Sequence, residues 1–159
     1  MKRFGNEPEI EYGNGGNMYH LFDHYMVGER AYSQMMMTVC EKYALTYAEL
    51  TVVMFLANNP SLDTASDIVK YQNLAKSHVS VSVRELEEQG MLSREYRDGD
   101  RRTVHLCLTA KAKPVISSAR AAQQRFANVM LSEISEEEKE TLIRILRKID
   151  QNIVAQSLC

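Results

Sequence analysis

The sequence predicts a mostly helical chain carrying one small β-hairpin, an α+β arrangement. Two observations point there. Apolar residues recur at three- and four-residue steps along most of the 159 residues, as on amphipathic helices. The period falls to two only once, between Gly90 and Thr109, around the turn dipeptide Asp98-Gly99. A 45% hydrophobic and 25% charged composition is that of a globular chain and excludes a mostly disordered or collagen-like one.

Residues 1–17 hold Gly5, Pro8, Gly13, Gly15 and Gly16 with little apolar content and read as a flexible leader. A helical stripe then starts at Met18 and runs through Phe22, Tyr25, Tyr32, Met36, Val39 and Tyr43. Thr46-Tyr-Ala-Glu49 is a capping box, in which hydroxyl and carboxylate satisfy free amides at a helix start. Tyr47, Leu50, Val53, Met54 and Ala57 form the face of that helix, and Asn58-Asn59-Pro60 ends it. A short helix follows, with Thr64 as cap, Asp67 three residues on, and Ile68 and Val69 as its apolar part.

The stretch His78 to Val83 alternates like a strand, but its flanks decide for a helix. Asn73 caps the start, Ala75, Val79, Val83 and Leu86 share one face, and Gly90 supplies a left-handed stop, giving roughly 16 residues. Met91–Arg97 and Thr103–Leu108 are the two strands of the hairpin. The next helix runs from about Thr109 to Met130 with Val115, Ala119, Ala122, Phe126 and Val129 in register, and Pro114 kinks or delays its first turn. Ser135-Glu-Glu-Glu138 opens the last helix, striped by Leu142, Ile145, Leu146, Ile149 and Ile153.

A short helix followed by a longer one with a polar outer face is a helix-turn-helix, whose second helix fits the ~12 Å major groove of duplex DNA. With Val79, Val83 and Leu86 inward, Lys76, Ser77, Ser80, Val81 and Arg84 face outward with His78 beside them. Small and basic residues allow close approach to phosphates and base edges, and Val81 suits a thymine methyl group. Free amides near Asn73 to Lys76 add a phosphate site. Arg97, Arg101 and Arg102 bracket the hairpin turn and set guanidinium groups at its tip, suited to a narrow minor groove, with Asp100 placed to hold one of them extended. Taken singly, the helix face also reads as a solvated surface and the hairpin as a turn laced with ion pairs.

The run Asn73-Leu-Ala-Lys-Ser-His-Val-Ser through Asp98-Gly-Asp-Arg-Arg-Thr-Val-His-Leu-Cys-Leu-Thr109 resembles the winged-helix core of MarR-type transcription regulators, and the likeness extends over residues 18–156. Asp100-Arg101-Arg102 and Leu108-Thr109 match that family's wing motif. Arg97 stands at the motif's first acidic position, and Val81 stands where many relatives carry a long polar side chain. The resemblance implies a winged helix-turn-helix lobe at 46–109 and a helical dimerisation lobe at 18–45 and 110–159. It also implies a homodimer on double-stranded DNA and a small-molecule effector bound between the lobes. Tyr25, Tyr32, Met35, Met36 and Met37 would supply lining for such a pocket, and the same stripe also reads as plain core.

The residues point to the dimer independently. The first helix has a seam too long for residues 46–90 to cover, and the last helix carries a stripe that would face water in a monomer. An intrachain helical bundle is the other way to cover both.

Several classes are set aside. The net charge of −2 excludes a globally basic nucleic-acid binder and leaves a locally basic one. Cys40, Cys107 and Cys159 are too few and scattered for a disulfide framework or thiolate zinc site, and Glu41 beside Cys40 opposes thiolate formation. His20, Asp23 and His24 have metal-ligand spacing, but no second ligand cluster lies near in sequence. Gly13-Asn-Gly-Gly16 has neither the preceding strand nor the following Lys-Ser/Thr of a phosphate loop. The expectation is therefore a cytoplasmic, non-enzymatic transcription regulator, with repression as its commoner mode and no cofactor, metal or membrane partner. A metal-responsive regulator and a winged-helix protein-interaction module are the alternatives.

Overall fold

The computed structural model describes residues 19–72, 74–97 and 100–157, with side chains described for 26–72, 74–97 and 102–155. The leader, Asn73, the Asp98-Gly99 turn and Cys159 lie outside the described residues, and so do the side chains of His20, Asp23, His24 and Tyr25. In chain order the elements are α1 (Tyr19–Tyr43), α2 (Tyr47–Asn58), α3 (Ala65–Gln72) and α4 (Lys76–Glu88). They continue with β1 (Leu92–Arg97), β2 (Asp100–Leu108), a 3₁₀ turn (Ala110–Ala112), α5 (Lys113–Met130) and α6 (Glu136–Ser157). The expected mostly helical architecture with one hairpin is the one observed.

Both capping boxes form. The Thr46 N–H donates to Glu49 Oε2 at 2.8 Å, and Thr46 Oγ1 accepts from the Glu49 N–H at 3.2 Å. Ser135 and Glu138 repeat the exchange at 2.8 and 3.3 Å. Thr64 and Asp67 make the same reciprocal pair at the head of α3, with 3.1 and 3.2 Å bonds. Each box satisfies amides that a helix start leaves without intrahelical partners.

α2 departs from the single-faced expectation. Leu50, Val52, Val53, Met54, Phe55 and Leu56 are all buried, whereas Tyr47 is exposed. α2 lies at the centre of the molecule, touching α1, α3, α4, α5 and β2, and a helix covered on all sides is apolar all round. Met36, Val39 and Cys40 of α1, Ile68 of α3, and Val79, Val83 and Leu86 of α4 pack into the same core. So do Val115, Ala119 and Ala122 of α5.

α4 starts later than expected. Its N-cap is Ala75, without a side-chain hydrogen bond, and its first residue is Lys76, so the helix has 13 residues. Ala75 is exposed and leaves the predicted inward face, while Ser82 joins it. Gly90 stops the helix at φ +71°, with the Met91 N–H reaching back to Leu86 O at 2.9 Å.

β1 and β2 pair antiparallel with Leu92 opposite Leu108, Glu95 opposite His105 and Arg97 opposite Asp100, and an irregularity falls between Glu95 and Arg97. β2 begins three residues earlier than its sequence pattern indicates, because ladder pairing continues past the apolar alternation into the charged end. Leu106 is buried, with Val104 and Leu108 packed beside it. Pro114 does delay α5: the 3₁₀ turn precedes it, and proline occupies its first turn, where no amide is needed. α5 runs along α1, where Tyr32 meets Phe126 edge-on at 5.5 Å and the Gln123 amide donates to Tyr32 OH at 2.8 Å.

Candidate nucleic-acid interface

Helix α4 divides cleanly. Val79, Ser82, Val83 and Leu86 are buried, and Lys76, Ser77, His78, Ser80, Val81 and Arg84 are all exposed. The six candidates therefore share one outer surface. Because Ala75 gives no side-chain cap, the free-amide end expected near Asn73 to Lys76 sits instead at the first turn from Lys76 onward. Arg84 is already engaged: its Nη2 lies 2.8 Å from Glu85 Oε1 and its Nε 3.8 Å from Glu88 Oε1. Exposed pairs of this kind are worth about 0–1 kcal/mol, so a phosphate can take the guanidinium from them.

The hairpin follows directly after Gly90 and is tied to α4 by Arg94 Nε, 3.0 Å from Glu87 Oε2. Helix and hairpin are thus adjacent and linked by charge. Arg102 lies on the exposed part of β2, and the side chains of Asp100 and Arg101 fall outside those described. The expectation that Arg97 projects its guanidinium at the tip is corrected. Arg97 Nη1 sits 2.7 Å from Asp63 Oδ2, and Nη2 lies 3.7 Å from Cys107 Sγ. Asp63, in the α2–α3 connection, is 8% exposed and also meets His105 Nδ1 at 2.6 Å. Sequence reasoning missed Asp63 because its partners lie 34 and 42 positions away, and only the fold brings them together.

A cavity of about 240 Å³ opens between α1, α2 and α5. Tyr32 and Met36, two of the predicted lining residues, do border it, together with Met54, Phe55 and Gln123. Met35 packs against the core and Met37 is exposed, so neither belongs to it. Asn58, Asn59 and Gln72 supply amide groups at its edge. Among the described residues its walls carry no charged side chain.

The two described thiols are unpromising nucleophiles. Burial pushes Cys40 up from its ordinary pKa, and the charges of Glu49 and Glu41 push the same way. Burial also raises Cys107, with Glu95 adding to it. No group of three metal-ligating side chains occurs among the described residues. No described helix is long and apolar enough to cross a membrane.

A helix-turn-helix followed by a β-ribbon defines a winged-helix protein. Residues 45–103 match the model of the MarR family. The chain is 30% identical over 114 residues to YdgJ of Bacillus subtilis (strain 168), described as an uncharacterised HTH-type transcriptional regulator. That match covers 72% of this chain and 68% of YdgJ. Its fold is similar to Staphylococcus aureus MarR solved in complex with salicylate and kanamycin, with TM-score 0.71 and 18% identity over 87% of this chain and 93% of that one. It is also similar to an S. aureus MepR variant solved bound to an oligodeoxyribonucleotide, with TM-score 0.55 and 21% identity over 86% and 98%. The chain belongs to the MarR family of transcriptional regulators.

Proposed function

We propose that this regulator is a cytoplasmic homodimer that binds a pseudo-palindromic operator in double-stranded DNA and represses transcription, and that a small molecule relieves the repression. The observation that carries the reading is the common exposure of Lys76, Ser77, His78, Ser80, Val81 and Arg84 on one side of α4, next to the hairpin. Lys76, Arg101 and Arg102 hold phosphates and the minor groove, with Asp100 orienting an arginine, and the 77–84 face reads bases. The oligodeoxyribonucleotide on the MepR variant supports that geometry by analogy of fold.

Residues 18–45 and 110–159 form the dimerisation lobe. The support is the apolar stripe of α6, where Leu142, Ile145, Leu146, Ile149 and Ile153 lie between 37% and 59% exposed in a single chain. A two-fold dimer covers that stripe and sets two α4 helices about one DNA turn apart. The effector site is the cavity bordered by Tyr32 and Met36, with Tyr25 on the same helix. Its position between helices of both lobes lets a ligand change their relative placement.

Selection of binding sites from random duplexes with the purified protein tests the reading. A palindromic consensus, bound less tightly as salt rises, is the expected result. Failure to enrich any sequence, or binding indifferent to salt, would overturn it.

A further inference from the structure

We propose that Asp63, Arg97 and His105 form a clamp that positions the wing, so that Arg97 acts through Asp63 and does not contact DNA itself. This inference rests on the DNA-binding reading above and assigns the wing residues their separate parts.

The geometry converges on one carboxylate. Asp63 Oδ2 takes Arg97 Nη1 at 2.7 Å, and Oδ1 faces His105 Nδ1 at 2.6 Å. Its backbone oxygen accepts the Leu106 N–H at 2.7 Å. One residue of the α2–α3 connection therefore holds β1 through Arg97, and β2 through both His105 and the Leu106 amide. Arg97 and His105 stand on neighbouring strands, either side of the ladder irregularity between Glu95 and Arg97.

The hairpin needs such a hold. Two strands alone are marginal in water, and beyond Leu92 the β1 residues Arg94 to Arg97 are exposed. At its base Leu92 and Leu106 are buried in the core. Further out, ties to the body of the domain include Arg94 with Glu87 and the Asp63 cluster. Asp63 is the better anchor of the two carboxylates, because it is 8% exposed and its position is fixed by its own backbone bond to β2. A charge that is largely out of water and held by two partners is costly to leave unpaired, so Arg97 stays with it. In the resembled wing motif an acidic residue occupies position 97. Here the acid sits in the body of the domain and the base on the wing.

The test uses the full-length protein and a duplex taken from the site selection. Asp63→Asn, Arg97→Gln and the double variant are titrated across a range of salt, after circular dichroism shows native helix content. Each single variant is expected to weaken binding about tenfold, with the double variant no weaker than the poorer single, since the two residues act as one unit. The dependence of log affinity on log salt should keep the wild-type slope, because no phosphate contact is removed. Without DNA, amide hydrogen exchange should rise across 92–97 and 100–108 in Asp63→Asn and stay unchanged in α5. Two results would overturn the clamp: a slope reduced by about one in Arg97→Gln with Asp63→Asn binding normally, which marks a direct phosphate contact, or wing exchange unaltered in Asp63→Asn. Absence of duplex binding by the wild type would sink the DNA-binding reading instead, and the exchange measurement would still judge the clamp.

Discussion

Asp63 shows how a single side chain acquires a role that its neighbours in sequence do not reveal. Burial pushes its carboxyl up, but the His105 hydrogen bond and the Arg97 charge outweigh that and hold it below the ordinary aspartate range. A carboxyl with a lower pKa folded than unfolded stabilises the fold at pH values above the unfolded pKa, about 3.9, and that contribution fades as pH falls through the folded value. Urea midpoints measured from pH 6 down to pH 3 should therefore drop on the acid side in the wild type. In Asp63→Asn that portion of the slope should be missing, with the midpoint already lower at pH 6. Arg97 was legible in the sequence as a wing arginine, but its partner was not. An Asp in a loop has no periodicity, and the residue that captures it lies on a distant strand.

At the scale of elements, local chemistry was largely readable. The boxes at Thr46–Glu49 and Ser135–Glu138, the stop at Gly90 and the delay imposed by Pro114 depend on residues within four positions, and all are found in the fold. The box on α2 guards the helix that α1, α3, α4, α5 and β2 all touch. Thr46→Ala removes an acceptor for the Glu49 amide and should cost about 1 kcal/mol of unfolding free energy by denaturant titration. Ser135→Ala at the head of the exposed α6 should leave the core transition nearly unmoved. The misreadings at this scale share a cause. Helical periodicity assumes a solvent side and so assigns α2 a single apolar face, and Asn73, a good cap by residue type, sets the expected start of α4 too early. Which sides of a helix meet other elements, and where the chain leaves the preceding turn, are settled by packing.

For the whole molecule, the exposed stripe on α6 carries the consequence. Leu142, Ile145, Leu146, Ile149 and Ile153 remain half-exposed, and α6 is not among the elements that pack extensively on one another in the described residues. In the proposed dimer these residues meet the partner. Sedimentation should give twice the chain mass for the wild type, and Leu146→Glu with Ile149→Glu should shift it to the monomer and weaken operator binding together. A monomeric wild type at micromolar concentration would remove the dimer from the proposal.

The sequence by itself determined the order of helices and hairpin, the caps of α2, α3 and α6, the stop at Gly90, and which face of α4 is polar, since each follows from spacing and chemistry within a few residues. Membership of the MarR family was legible for the same reason, because the wing motif and its flanking helix are contiguous. Only the tertiary structure decided that α2 is enclosed, that Arg97 turns to Asp63, and that Tyr32 and Met36 share a cavity with residues of α2 and α5. Those are contacts between segments tens of residues apart. Their geometry depends on how the elements stack, and no local pattern encodes it.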